Sequence, residues 1–376
     1  MKKSKSALVS IWDLPTRVFH WLLVASFAVA WISYDDNRFL FVHVFAGYVF
    51  FGLLVFRLFW GIYGTRYARF RTFAYDWSSV SAYLKGLLNG EAMRHIGHNP
   101  AGGWAIFLML ILGLLVSIAG LMVFGGEEGH GPLAAVVSFE IGSEYAREAH
   151  EILAWTMLFV VFIHLAGVIF EGLFQKENLI WAMITGKKSN IDTSEGVQVH
   201  GKLGVVIVSI VFLSILFSFR GYLVETADDL YQPFKGPELP DNVTWREECG
   251  DCHIAFHPTL LPARSWDAIF ENQHEHFGDD LDLDEDTLAE LKKFHRDNSA
   301  ETGLTEPAHK INRSIPADQT IIRITETKYW KKKHHDIDDK YWQSEKVNSK
   351  TNCAACHLDA EKGTYEDSDM RLPKLK

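Results

Sequence analysis

The chain has 376 residues, of which 48% are hydrophobic and 22% charged, a length for roughly two or three domains. Its formal net charge of −10 arises mostly after residue 225, and an acidic soluble half excludes recognition of a nucleic-acid backbone, which needs a basic face. Residues 1–224 are apolar instead, with long uncharged runs rich in Trp and Phe, the composition of membrane-crossing segments.

The N-terminus, MKKSKSALVS, is basic and leads into the apolar run Val18–Ile32. A basic start and an A-x-A-like end imitate a secretory signal peptide. Asp13 and Arg17 interrupt that order and cleavage would remove His20, so an uncleaved first membrane helix is expected, entering from the cytoplasm. Further membrane helices are expected over Phe39–Ile62, with His43 near its start, over Trp104–Phe124, within 146–174, and over Leu203–Leu223, preceded by His200 and Lys202. Each is long enough to span a bilayer. Between the second and third, DWSSVSAYLKGLLNG (76–90) reads either as an amphipathic helix on the inner membrane surface or as a polar loop with a short helix.

Short-loop charges orient these segments. Lys2, Lys3, Lys5 and Arg17 mark the N-terminus as internal, as Arg66, Arg69, Arg71, Lys85 and Arg94 do for 63–103 and Lys176, Lys187, Lys188 and Lys202 for the stretch after the fourth helix. The 33–38 turn has only Arg38, and the 125–149 loop only Arg147 beside five glutamates; both belong outside. Five crossings then leave the C-terminus outside, in the periplasm of a bacterial inner membrane.

The fourth segment carries His150 and His164 in otherwise lipid-compatible sequence. Ionisable groups there are costly and point to function. Fourteen residues apart, they share one helix face and stand roughly 21 Å apart along the axis, one near each end of the hydrocarbon layer. Neutral imidazole ligates haem iron. Depth pairs His20 with His164 for an inner haem b and His43 with His150 for an outer one. Arg57, fourteen residues after His43, lies at the inner level, where it either meets a haem propionate or snorkels to the surface. Arg17, His98 and His200 are further candidates for propionate or quinone contact, and His95 lies near them in the same inner region. Gly47, four residues after His43, leaves room for a flat macrocycle or simply packs helices.

IWDLPTRVFHWLL (11–23), His43 with GYVFFGLLVFRLFWG (47–61), GHNPAGGW (97–104) and the His150/His164 helix resemble the bacterial cytochrome b561 family, which includes b-type cytochrome subunits of nickel-iron hydrogenases. The resemblance covers about 8–190. It implies a four-helix bundle with two haems b on histidines of the first, second and fourth helices, exchanging electrons with quinone.

Residues 225–245, with Pro233, Gly236, Pro237 and Pro240, read as a linker. Beyond it, all four cysteines fall in Cys249-Gly-Asp-Cys252-His253 and Cys353-Ala-Ala-Cys356-His357, two copies of the C-x-x-C-H pattern of covalent haem c attachment. A thioredoxin-like pair, a four-cysteine zinc site and two disulfides are the competing readings. Each haem c needs a second axial ligand. Met370 is the only methionine after residue 225, so histidine is expected on both sides of each iron, which keeps the potential low.

ECGDCHIAFHPTLLPARSW (248–266), HFGDDLDLD (276–284), RITETKYWKKKH (323–334) and NCAACHLDAEKGTY (352–365) resemble the dihaem cytochrome c family over about 245–369. That resemblance implies His276 as sixth ligand of the first haem and His334 of the second. His335 competes with His334, and His257 could reach a neighbouring haem. The remaining histidines of this half are expected in solvent.

The expected fold is all-α: a membrane cytochrome b561-like domain (1–190), a fifth transmembrane helix (191–224), a linker (225–245) and a small, mainly helical periplasmic dihaem c domain (246–376). The expected function is a tetrahaem electron carrier between the quinone pool and a soluble periplasmic redox protein, with four six-coordinate irons. The rivals are a subunit of a larger oxidoreductase complex such as a hydrogenase, and a superoxide:quinone oxidoreductase. The acidic 125–149 loop disfavours the last, since superoxide is an anion.

Overall fold

A computed structural model describes residues 9–35, 39–91, 93, 95–175, 178–188, 201–227, 239–303, 305–366 and 369–375. His200 and residues 228–238 of the expected linker lie outside the described residues. The chain divides into two compact units, Met1–Phe124 with Ser143–Ala227, and Gly125–Gly142 with Asp228–Lys376.

The first unit is built from long apolar helices. α1 (Leu14–Ile32) starts where Asp13 accepts a hydrogen bond from the Thr16 amide and Pro15 occupies the first turn, so both devices that favour a helix start coincide. α2 (Leu40–Tyr63) packs along α1. α3 (Trp77–Asn89) is capped by Asp76 and closed by Gly90 at φ +77°, the left-handed turn glycine adopts without strain. α4 (Pro100–Gly126) and α5 (Arg147–Gln175, preceded by the π-turn Ile141–Ala146) complete the set. Leu14–Ile32, Leu40–Tyr63, Pro100–Gly126 and Ile141–Phe174 are long and apolar enough to cross a membrane. The protein is a multi-pass membrane protein. Phe159, Phe162, Ile163 and Ile169 of α5 face outward, as lipid-facing side chains do, while Phe50, Leu54, Leu110, Leu112, Met157 and Val160 pack inside.

Two further helices follow. α6 (Leu179–Thr185) is capped by Asn178. α7 (Gly201–Ala227) packs on α1 and α2, and its described apolar stretch is Gly204–Phe217. A two-stranded antiparallel sheet, β1 (Val9–Ser10) with β2 (Lys187–Lys188), ties the start of the unit to the residues after α6.

The second unit strings short helices around one core. α8 (Val243–Gly250), α9 (Ala263–Glu271), α10 (Glu285–Asp297), α11 (Glu306–Ser314) and α12 (Lys328–Lys333) surround Trp245, Leu261, Trp266, Phe270, Leu291 and Ile311, and α13 (Asp339–Trp342) follows. Asn242, Asp284, Thr305, Thr327 and Asp338 cap five of these helices, which compensates for their shortness. Gly125–Gly142 is fastened into this unit. His309 Nε2 donates to the Glu128 carbonyl (2.6 Å), and Arg313 donates to the Gly126 carbonyl (3.0 Å). Lys310 Nζ meets Glu127, Glu128 and Glu306 at 3.3, 3.0 and 2.8 Å, all with little exposure. Such a buried network gains little net stability over an apolar core, yet removing its central cation would cost on the order of 3–5 kcal/mol. Burial is the main reason the Glu128 carboxyl is pushed above the ordinary range; Lys310 opposes that shift.

Candidate functional site

Two helix starts bring the first pair together. His43 lies in the first turn of α2 and His150 in the first turn of α5. Their ring centroids are 6.0 Å apart. His43 Nδ1 donates to the Ala30 carbonyl (2.8 Å) and His150 Nδ1 to the Val116 carbonyl (2.9 Å). These bonds fix the tautomer that leaves each Nε2 lone pair available, the support that metal-bound histidines generally have. Gly120 makes the approach feasible, because a Cβ there would stand 3.0 Å from the His150 ring.

His20 on α1 and His164 on α5 are within electrostatic reach of each other, and both of His98. His20 Nδ1 is buried without a hydrogen-bond partner among the described residues. His98 precedes α4 and lies against Trp12 (4.7 Å) and Phe73 (4.5 Å). Burial, then the neighbouring cations Arg57 and Lys188, hold it neutral, with a pKa pushed down to about 3. Arg57 is buried, its guanidinium over the Phe70 ring at 4.7 Å. Arg17 donates to the Ile184 carbonyl (2.6 Å).

In the second unit, His253 and His276 have ring centroids 6.4 Å apart, and His334 and His357 6.2 Å apart. His253 Nδ1 donates to the Ile254 carbonyl, and His334 Nδ1 to that of Trp330, whose indole also stacks on the imidazole at 4.3 Å. His335 turns away, exposed, toward Asp336 and the Lys332 carbonyl. His257 is buried, held by Thr259, with Gly363 against its ring so closely that a Cβ would stand 2.3 Å away. Its wall belongs to a cavity of about 930 Å³ that also touches His253, Ala354 and Lys362. That cavity therefore reaches both cysteine motifs. No disulfide joins any of the four cysteines. No group of three or more His, Cys, Asp or Glu among the described residues could hold a metal ion, so the four-cysteine zinc reading loses its donor geometry.

These residues fit haem. Two imidazoles sharing one metal ion each stand about 2 Å from it through nitrogen, which puts their ring centroids about 6 Å apart. Three of the pairs meet that requirement. On the His43 side of α2, a Cβ built on Gly47, four residues further on, would meet no heavy atom within 4 Å, which leaves space beside that histidine. The Nδ1–carbonyl bond alone does not mark a site, since His295 and His335 make it too.

Some features were outside the sequence reading. His295 was expected in solvent, but it is fully buried against Trp266 and Phe270, because α10 turns its Leu291/His295 face into the core. His309 likewise is engaged, its ring stacked on His130 at 5.6 Å. Lys188 is buried at the end of β2, a two-residue strand with no periodicity to betray it. The i, i+4 spacing of Leu291 and His295 was the one available signal for the first of these.

Residues 11–186 match the family Prokaryotic cytochrome b561, and residues 245–365 the family Dihaem cytochrome c. A probable Ni/Fe-hydrogenase B-type cytochrome subunit of Azotobacter chroococcum mcd 1 is 25% identical over 219 residues, 49% of this chain and 90% of that protein. Its counterpart in Rhizobium leguminosarum bv. viciae is 24% identical, over 48% of this chain and 88% of that one. Among solved structures, a dihaem cytochrome c from Rhodobacter sphaeroides is 34% identical, covering 34% of this chain and 98% of its own, with a TM-score of 0.30.

Proposed function

From a chain that belongs to the prokaryotic cytochrome b561 family over residues 11–186 and to the dihaem cytochrome c family over residues 245–365, we infer a four-haem electron carrier. Membership makes the protein an electron-transfer cytochrome with haem b and haem c. Our reading adds their number, ligands and direction. His20 with His164 and His43 with His150 each hold one haem b. His253 with His276 and His334 with His357 each hold one haem c, attached through Cys249 and Cys252 and through Cys353 and Cys356. The observation that carries three of these sites is the recurrence of histidine pairs at 6.0, 6.4 and 6.2 Å in segments that share no sequence pattern beyond the cysteine motifs, while the His20/His164 site is supported by their electrostatic proximity and by the fourteen-residue spacing that His164 shares with His150.

Haem bound at these residues would supply a one-electron iron centre, and ligation by two histidines would keep its potential low. The protein's own residues do the rest. Main-chain carbonyls hold the imidazoles in one tautomer, and Trp330 fixes the plane of His334. The apolar bundle excludes water around the membrane pairs. Relay, rather than chemistry at iron, is the function such sites suit.

The reading places the N-terminus in the cytoplasm, α7 as a fifth crossing, and residues 246–376 in the periplasm. With haem bound at both sets of histidines, the protein would carry electrons from quinol through its membrane unit to the second unit and a soluble periplasmic acceptor. A second reading, a subunit delivering electrons between an oxidoreductase partner and quinone, is favoured by the relatives, whose names are those of hydrogenase cytochrome subunits. Anaerobic mixing of the purified protein with ubiquinol and menaquinol, following b and c bands separately, tests both. Reduction of b before c supports the relay. No reduction by either quinol, in protein that dithionite reduces fully, defeats the quinol half of the reading.

A further inference from the structure

Two buried cations, Arg57 on α2 and Lys188 on β2, are within electrostatic reach of His98, as are His20 and His164. Arg57 is 4% exposed and Lys188 5%. Asp13 is the carboxylate that acts on Arg57, but its oxygens are already committed. One accepts the Thr16 amide (2.8 Å); the other accepts Trp60 Nε1 (3.1 Å) and the Thr65 hydroxyl (2.6 Å). Arg57 Nη1 and His98 Nδ1 are buried without hydrogen-bond partners among the described residues. A buried guanidinium whose donors are not all used calls for an acceptor, and an anionic oxygen is the one that repays its desolvation.

The position of Lys188 is built, not incidental. Successive strand residues face opposite ways, so in β2 Lys187 is exposed and Lys188 is turned inward. Its register opposite Val9 is locked by the Gly186 carbonyl, which accepts the amides of Ile11 (2.8 Å) and Trp12 (3.1 Å). Trp12 in turn carries His98 on its ring. The small sheet therefore delivers a buried ammonium group within electrostatic reach of His98, which is itself within electrostatic reach of His20 and His164.

We propose that Lys188 and Arg57 form a carboxylate-binding site for the propionates of the haem b at the His20/His164 pair, with β1–β2 serving to seat the lysine. This rests on the haem b reading above. No electron or proton is exchanged with the lysine; its positive charge stabilises the bound carboxylates and favours the reduced iron beside it.

The test uses full-length protein in detergent. His20→Ala first identifies the b-type component of this pair; if no haem b is lost, the ligation reading itself fails and this site falls with it. Lys188→Gln and Lys188→Arg are then compared by haem content and by redox titration of the b and c bands. Lys188→Gln is expected to lower the midpoint potential of that same b component, or to release that haem, while the other haems keep theirs; Lys188→Arg is expected to restore it. Unchanged haem content and potentials in Lys188→Gln overturn the proposal, as does a shift confined to the His43/His150 component. Slower reduction by quinol with all potentials unchanged assigns Lys188 to a quinone oxygen and equally overturns it.

Discussion

His43 and His150 face each other across 6.0 Å, and each has turned its other ring nitrogen back to a main-chain carbonyl, Ala30 for one and Val116 for the other. Neither carbonyl belongs to the helix that carries the histidine it receives. The pair is thus oriented by α1 and α4, so four helices contribute to one site: two with the imidazoles, two with the acceptors that aim them.

This arrangement predicts separable losses. His43→Ala is expected to remove one haem b and leave the other, and His20→Ala to do the reverse. The b-to-c ratio in a pyridine haemochrome assay should fall from about one to about one half in each. Low-temperature spectra should show that different components disappear. Loss of the same component in both variants would refute the pairing by depth.

The second unit predicts an asymmetry between adjacent residues. His334 packs between Trp330 and His357, whereas His335 is exposed beside Asp336. His334→Ala should leave its haem c covalently attached but shift its spin state and midpoint potential, because one axial ligand is gone. His335→Ala should leave both unchanged, and its stability within about 0.5 kcal/mol of wild type, as for most exposed substitutions. Electron paramagnetic resonance of the oxidised protein reads the difference.

Buried histidines predict acid sensitivity. Burial pushes His295 down to about 4, and the main-chain bond to Leu291 only partly opposes this. A histidine whose folded pKa lies below its unfolded value of roughly 6.5 leaves the unfolded state holding more protons at acid pH. Its contribution is fully present above that unfolded value and is lost as pH falls toward 4, by on the order of 3 kcal/mol. Thermal melts of the second unit, followed by near-ultraviolet circular dichroism between pH 7 and pH 4.5, should fall steeply in wild type and less so in His295→Leu. Parallel slopes would show that another group controls the acid limb.

Much of this was legible because apolar runs and a fourteen-residue histidine spacing are strong, local signals. The four crossing helices and both cysteine motifs are of that kind. Helix starts were less legible. α1 begins at Leu14, four residues before the apolar run Val18–Ile32, and α4 at Pro100, not Trp104, because a cap and an N-terminal proline lie outside the apolar run they open. Lys188 was read only as a cytoplasmic positive charge. Its burial depends on pairing with Val9, a contact between residues remote in sequence that no local pattern encodes. His295 was hidden by the acidic composition of α10, whose inward stripe is narrow.

Topology is tested by fusion. On the proposed topology, with a cytoplasmic N-terminus read from the lysines and arginines of the short connections and α7 as a fifth crossing, alkaline phosphatase placed after Lys376 should be active. An inactive fusion to haem-loaded protein would remove α7 from the set of crossings, because the four stretches that are long and apolar enough leave an even count.

Electron order gives the last prediction. On the proposed reading, if quinol reacts near the His20/His164 pair, where His98 carries a buried ring nitrogen without a partner among the described residues, electrons would pass through the proposed His43/His150 haem before reaching the haems c. His150→Ala should then break the series without harming its end. On that reading the haems c are attached through Cys249, Cys252, Cys353 and Cys356 in the second unit, so dithionite should still reduce them fully. Their fast reduction by quinol should fall at least tenfold, a barrier increase of about 1.4 kcal/mol or more. Direct delivery from quinol to the second unit would leave that rate untouched, and so would a quinol site at the His43/His150 end that bypasses its own haem. Stopped-flow traces of His150→Ala and wild type, read at the c band after normalising to the dithionite end point, separate these cases. Undiminished reduction by quinol would mean that the haems b and c do not work in series.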